Sequence, residues 1–190
     1  MPRVIAGKAK GKNLKVQGKE VRPTTDRIKQ ALFNTLEHRF HIQFHELTVL
    51  DLYAGTGALG LETISRGAHQ GVWVESDSST WSTLKKNVEY INQLTQVPCQ
   101  VIRQPVERFI RKKSNVCFDL IFADPPYHLQ LGPSLLKQFH TSLFHDHTLV
   151  VIEHDKRDCF DTPHGWDQVF TRKYGDTLIS IYQKLTVDPL

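Results

Sequence analysis

The run Thr48-Val49-Leu50-Asp51-Leu52-Tyr53, continuing directly into Ala54-Gly55-Thr56-Gly57-Ala58-Leu59-Gly60-Leu61-Glu62, leaves few folds open to this chain. An apolar strand that enters a G-x-G-x-x-G loop and then a helix is the start of a nucleoside-binding α/β sheet. In that arrangement Gly55 permits a tight turn, Gly57 lets the backbone approach a ligand, and Gly60 lets the helix pack closely on the strand. The helix is expected to run to about Arg66, where Gly67 stops it. Gly71-Val72-Trp73-Val74-Glu75 then reads as a second strand, ending in an acid 18 residues past Gly57. An acid so placed accepts hydrogen bonds from two ribose hydroxyls. These features specify a nucleoside cofactor on a doubly wound sheet. They do not choose between NAD and S-adenosylmethionine.

The rest of the chain supplies the remaining units of such a sheet. Arg22-Pro23-Thr24-Thr25-Asp26-Arg27 opens a helix, with Thr24 or Thr25 as N-cap and Asp26 in the first turn, near the positive end of the helix dipole. Ile28, Leu32 and Leu36 recur at helical spacing along it. The cluster Arg22, Thr24 and Thr25 at its start suits a carboxylate or phosphate. His38, His41 and His45 lack a supporting carboxylate or cysteine pattern, so no metal site is expected. Ser78 or Ser79 is expected to cap a helix through about Asn92. Residues 99–103 form a third strand, and Gln104-Pro105 turns into a short helix, with Pro105 in its first turn. Gln104 lies where a polar side chain reads an adenine edge. A fourth strand (117–123), a helix (131–139), a fifth strand (148–154) and a hairpin (167–174 and 177–184) around Gly175-Asp176 complete seven strands.

The fourth strand ends in Asp124-Pro125-Pro126-Tyr127. Proline has no amide hydrogen to donate and pushes the preceding residue to an extended conformation, so the strand stops at Asp124. The stiff bend holds up the Asp124 carboxylate, the Pro125 carbonyl, Pro126 and the Tyr127 ring. Those groups suit a flat, amine-bearing substrate such as a nucleobase. Ligands of open α/β sheets bind at the carboxyl ends of strands, where strand order reverses. In a 3-2-1-4-5 sheet the ends of strands one and four are neighbours, so a cofactor in the glycine loop faces Asp124. A nicotinamide dehydrogenase has no evident use for this tetrapeptide, whereas methyl transfer to an exocyclic amine does.

Charge is unevenly spread. The 190-residue chain carries +4 overall, but residues 1–19 hold six basic side chains (Arg3, Lys8, Lys10, Lys12, Lys15, Lys19) and no acid, which leaves the remainder at −2. Such a segment is the footprint of a nucleic-acid contact. Short apolar runs around its Gly-Lys-Ala-Lys-Gly-Lys-Asn turn suggest a basic β-hairpin. The expected organisation is this extension (1–20), one catalytic domain (21–185) and a short tail (186–190). The longest apolar run, 117–123, is too short to cross a bilayer, and the N-terminus lacks the apolar core of a signal peptide, so a cytoplasmic protein without a membrane partner is expected. Cys99, Cys117 and Cys159 are scattered and odd in number, as reduced thiols are.

The glycine loop from Asp51, the acid Glu75 and Asp124-Pro-Pro-Tyr127 resemble class I S-adenosylmethionine-dependent amino-methyltransferases. Arg22-Pro-Thr-Thr-Asp-Arg-Ile-Lys-Gln-Ala-Leu-Phe-Asn34, the basic start and the Tyr174-Gly-Asp-Thr ending together resemble the RsmD-type 16S ribosomal RNA guanine-N2 methyltransferases. The resemblance implies a Rossmann-like sheet of seven strands in the order 3-2-1-4-5-7-6, S-adenosylmethionine as cofactor, and 16S ribosomal RNA within the small subunit as partner of a monomeric enzyme. It implies Arg22, Thr24 and Thr25 near the methionine end of the cofactor. Asp51 and the backbone of Tyr53, Ala54, Gly55, Thr56, Gly57 and Ala58 would surround its amino-acid moiety. Glu75 and Ser76 would lie at the ribose. Gln104 and Pro105 would lie at the adenine, where the family often has an acid followed by alanine. Asp124, Pro125, Pro126 and Tyr127 would hold the target base, and Arg3, Lys8, Lys10, Lys12 and Arg27 the RNA. Three other readings remain: an amino-methyltransferase acting on DNA adenine or protein glutamine, an RNA-binding scaffold with a vestigial pocket, and a dehydrogenase. The chain shows no separate target-recognition domain, and Asp124, Glu75 and the glycine loop are intact.

Overall fold

The computed structural model describes residues 1–17, 26–126, 131–157 and 161–185. In chain order the elements are α1 (Asp26–His38), β1 (Thr48–Leu52), α2 (Ala58–Ser65), β2 (Gln70–Glu75), α3 (Ser78–Thr95), β3 (Cys99–Arg103), α4 (Val106–Ile110), β4 (Phe118–Ala123), β5 (Phe144–Asp155), β6 (Trp166–Tyr174) and β7 (Thr177–Lys184). The strands form one sheet in the order β3-β2-β1-β4-β5-β7-β6. Helical crossovers make β1 to β5 parallel, whereas β7 pairs antiparallel with both β5 and β6. Gly175, at φ +63°, turns the β6–β7 hairpin, a backbone conformation that glycine adopts without strain.

Alternation along β1 sorts the two faces of the sheet. Val49 points to the layer with Leu32, Phe33, Leu61, Trp73, Leu84 and Ile91 from α1, α2, β2 and α3. Leu50 and Leu52 point to the opposite layer with Val106, Ile110, Leu135 and Leu136. All five residues of β1 are buried, as a central parallel strand requires. Truncating Leu50 to alanine there costs about 2–5 kcal/mol.

Four local expectations change. Residues 1–17 do reverse direction, but Arg3 and Asn13 make one isolated antiparallel bridge and no strand ladder. The amides of Ile5 and Ala6 bond the Glu62 carboxylate, at 2.7 and 2.9 Å, in place of a partner strand. Val4, Ala9 and Leu14 are drawn fully into the core. Asp77, and not Ser78 or Ser79, caps α3, accepting from the amides of Ser79 and Thr80. Residues 132–138 form a 3-10 helix and not an α-helix; its first residue, Gly132, has φ +31°, outside the α-helical region. Strand β5 begins at Phe144, four residues before its apolar run, because Phe118 pairs with Phe144 and the register then shifts. The caps read at Thr24 and Thr25 lie outside the described residues.

Candidate active site

The glycine loop leaves β1 through unusual backbone. Tyr53, Gly55 and Gly57 all have positive φ, +54°, +54° and +79°. For tyrosine that conformation is strained by about 1–3 kcal/mol and must be held by its surroundings. Its hydroxyl donates to Glu107 of α4 at 2.7 Å, which ties the loop to the helix after β3. A Cβ at Gly60 would lie 2.5 Å from Trp73 Nε1, and one at Gly57 would lie 2.6 Å from Leu84 Cδ1. Those glycines therefore let α2 and α3 pack against the loop. Of the three loop glycines Gly55 is the least crowded: a Cβ there would meet only the Tyr53 carbonyl oxygen, at 3.9 Å.

Carboxylates gather at the carboxyl ends of the strands. Asp51, buried on β1, accepts from the Gly60 amide at 2.9 Å. Burial pushes its pKa up to about 7; the Gly60 hydrogen bond opposes the rise and Glu75 adds to it. Glu75 ends β2 as a tie between segments: Oε2 accepts from the Gly55 amide at 3.1 Å and Oε1 from the Asp77 amide at 2.9 Å. Each oxygen keeps acceptor capacity for a hydroxyl. Ser76 follows, exposed. Because Glu75 pairs with Arg103 across β2 and β3, half-buried Gln104 lies one step beyond, beside Ser76. Pro105 caps α4.

Asp124 completes the cluster. Leu52 pairs with Ala123, and the Asp124 amide reaches the Leu52 carbonyl at 3.5 Å, so Asp124 stands beside Tyr53. It is exposed, at the carboxyl end of β4 between the ends of β1 and β5. Desolvation, then Glu153, then Asp51 hold its pKa well above the usual carboxylate range. Pro125 is buried and Pro126 exposed at the turn. Tyr127, Arg22, Thr24 and Thr25 lie outside the described residues. Sequence reading missed Glu107 and Glu153. The signal for Glu153 was an acid near the end of a fifth apolar strand, paired one step beyond Ala123 and Ile152.

The basic segment sits on α1, α2 and α3. Lys8, Lys10, Lys12 and Arg27 are exposed. Arg3 Nε donates to Asp26 at 2.6 Å. A cleft of about 310 Å³ lies between the segment and α1, lined by Arg3, Val4, Ile5, Lys10, Gly11, Asp26 and Gln30. Beneath it Glu62, fully buried, also receives Arg66 Nε at 3.0 Å and Lys29 Nζ at 3.4 Å. Lys29 donates as well to the Arg3 carbonyl. Burial lowers its pKa, and Glu62 acts in the opposite direction.

Sheet order, glycine loop and acid–proline turn at adjacent strand ends define a class I methyltransferase. Solved structures share the fold. YhhF of Escherichia coli matches with a TM-score of 0.80 at 28% identity, over 96% of this chain and 97% of that one. The ribosomal protein L11 methylase of Lactobacillus delbrueckii subsp. bulgaricus matches at 0.64 with 16% identity, over 84% and 80%. The family described as Conserved hypothetical protein 95 matches residues 2–183. YlbH of Bacillus subtilis is 37% identical over 188 residues, 96% of this chain and 98% of that protein. Ribosomal RNA small subunit methyltransferase D of Haemophilus influenzae is 32% identical over 184 residues, 95% of this chain and 93% of that protein. The chain belongs to this family, the RsmD-type methyltransferases.

The site fits the cofactor of that class. Open space lies over Gly55, Glu75 retains acceptors for a diol, and Asp51 offers a carboxyl to a cationic amine. An end lined by Asp51, Glu75, Asp124 and Glu153 favours a ligand that carries positive charge.

Proposed function

We propose that this protein transfers a methyl group from S-adenosylmethionine to the exocyclic N2 amine of a guanine in 16S ribosomal RNA, acting as a cytoplasmic monomer on the small subunit. The observation that carries the reading is the Asp124 carboxyl beside the glycine loop, at the ends of β4 and β1. Glu75 holds the ribose hydroxyls, Asp51 the amino-acid end, and Ser76, Gln104 and Pro105 border the adenine. Arg22, Thr24 and Thr25 act at the methionine end. When bound, the cofactor supplies an activated methyl.

The protein's own work is on the amine, whose lone pair is delocalised into the guanine ring. The Asp124 carboxylate and the Pro125 carbonyl accept its two N–H bonds, which turns the lone pair toward the methyl and stabilises positive charge as it develops. One N–H proton must leave once the new N–C bond forms. Asp124, with its pKa raised, is suited to take it. Pro126 stiffens the turn, and Tyr127 supplies an aromatic face for the base. The base must leave its stack to enter, at a cost of a few kcal/mol that an unpaired nucleotide reduces. Arg3, Lys8, Lys10, Lys12 and Arg27 hold phosphates and set the register.

The test is labelled-methyl transfer to ribosomal RNA from cells lacking this gene, followed by nucleoside mass spectrometry. Label in N2-methylguanosine of small-subunit RNA is expected. Label on adenine, or none on RNA, refutes the assignment.

A further inference from the structure

Asn87 is 1% exposed on α3, and all three hydrogen bonds of its side chain leave its own helix. Its Oδ1 accepts from the Lys15 amide at 2.8 Å, and its Nδ2 donates to the Lys15 carbonyl at 3.0 Å. This two-point pairing treats Lys15 as a strand neighbour would and fixes the amide plane. The remaining N–H reaches the Thr56 carbonyl at 3.0 Å.

Thr56 lies between the positive-φ residues Gly55 and Gly57, in the loop that faces the cofactor. The Thr56–Gly57 peptide is held at both ends, because the Gly57 amide donates to the Ala54 carbonyl at 2.7 Å. One helical turn before Asn87, Thr83 donates to Gln17 at 3.0 Å. A buried apolar side chain at position 87 would fill the same space, whereas an amide there grips two segments at once. One segment carries the exposed lysines, and the other is the glycine loop.

We propose that Asn87 is a positioning residue that couples the basic N-terminal segment to the glycine loop, so that RNA and cofactor bind cooperatively. The proposal rests on the RNA methyltransferase reading. Phosphates bound at Lys8, Lys10 and Lys12 restrict the segment that ends at Lys15. The Lys15 pairing then holds the Asn87 amide with its second N–H on Thr56, and the loop is ordered before the cofactor arrives. Ordering shared in this way tightens each ligand in the presence of the other, by the same factor in both directions.

The test titrates S-adenosylhomocysteine, which cannot react, into the full chain by calorimetry, with and without unmethylated 16S ribosomal RNA at fixed salt. RNA is expected to tighten binding by about fivefold or more, the low end of typical coupling between sites. Asn87→Asp keeps the volume and the acceptor toward the Lys15 amide but replaces both donors by oxygen. It is expected to bring the factor close to one. Lys15→Pro removes the Lys15 amide donor without touching α3 or the loop and is expected to do the same, whereas Lys15→Ala keeps the backbone and the coupling. If Asn87→Asp does not fold, the Lys15 pair decides. Coupling retained in a folded Asn87→Asp, or equal in Lys15→Pro and Lys15→Ala, overturns the proposal. Independent binding of both ligands by the unaltered protein overturns it too and leaves the methyltransferase reading intact. Loss of S-adenosylhomocysteine binding by the unaltered protein overturns both.

Discussion

Replacing Glu62 by leucine, close in volume and without charge, should destabilise the protein by about 3–5 kcal/mol, the usual cost of removing one partner from a buried ion pair. The structure sets the size of the effect. Glu62 accepts from the amides of Ile5 and Ala6 and from the side chains of Arg66 and Lys29. Arg66 keeps Glu37 at 3.2 Å, but the two amides lose their acceptor, at about 1–3 kcal/mol each. Lys29, 1% exposed, loses its nearest counter-charge and keeps the Arg3 carbonyl and the more distant Asp26. Burial already lowers its pKa, and loss of Glu62 removes a group that acted in the opposite direction. At about 2–4 °C per kcal/mol for a domain of this size, the melting temperature falls by roughly 6–20 °C. Urea unfolding followed by circular dichroism measures the loss. Adding Lys29→Met should restore part of it, since no unpaired charge then remains. A loss below about 1 kcal/mol, or a double variant no more stable than Glu62→Leu, refutes the view that this buried carboxylate anchors the N-terminal segment.

Three further outcomes are expected. Asp124→Asn should lower kcat by about 10²–10³, the usual cost of one group that stabilises developing charge, with cofactor affinity by calorimetry nearly unchanged; full turnover would remove Asp124 from the mechanism. Burial raises the Asp51 pKa from 3.8 to about 7, so between those values the folded state holds a proton that the unfolded chain has released, and stability falls as pH rises across that window. Urea unfolding of Asp51→Asn should show a flatter dependence there; an unchanged profile means that Asp51 does not titrate as its burial requires. Replacing Lys8, Lys10 and Lys12 together by alanine should reduce the slope of log affinity for RNA against log salt by roughly 2–3, at 0.7–0.9 per phosphate contact, and an unaltered slope means those lysines only solubilise the chain.

The strand order, expected from the family resemblance, is the one observed, and most of what else was legible in the sequence was local. β3 and β7 have the bounds read from their apolar and β-branched residues, and the glycine loop, Glu75 and the Asp124 turn stand where spacing put them. Asp77 was passed over because two serines follow it and either makes a good cap. The start of β5, Phe-His-Asp-His, reads as loop by polarity. It becomes strand because Phe144 pairs with Phe118 and His145 shares a hydrogen bond with Asp119 at 2.8 Å. Less legible were the polar residues whose partners are remote. Glu62 reads as one polar position on an apolar helix, yet its amide partners lie 57 and 56 residues away. Asn87 is one polar residue at the edge of the apolar face of its helix, yet it meets Lys15 across 72 residues. No window of sequence holds both ends of such bonds. Glu153 differs, because its strand and the neighbouring order of β4 and β5 were both expected, and what was missed was the register that sets it one step past Ile152, near Asp124.

The long reach of those bonds bears on the order in which the molecule assembles. Val4, Ala9 and Leu14 are buried, but the surfaces that receive them belong to α1, α2 and α3. Contacts of such separation form late, after the nearer pairings have offset the entropy of closing the loop. Residues 1–17, synthesised before α3, therefore wait for their seat until Asn87 has emerged and α3 has formed. During that interval the six basic side chains of residues 1–19 stay unseated beside the ribosome making the chain. A nascent chain of this kind has an early electrostatic attraction to ribosomal RNA, before its own sheet has closed.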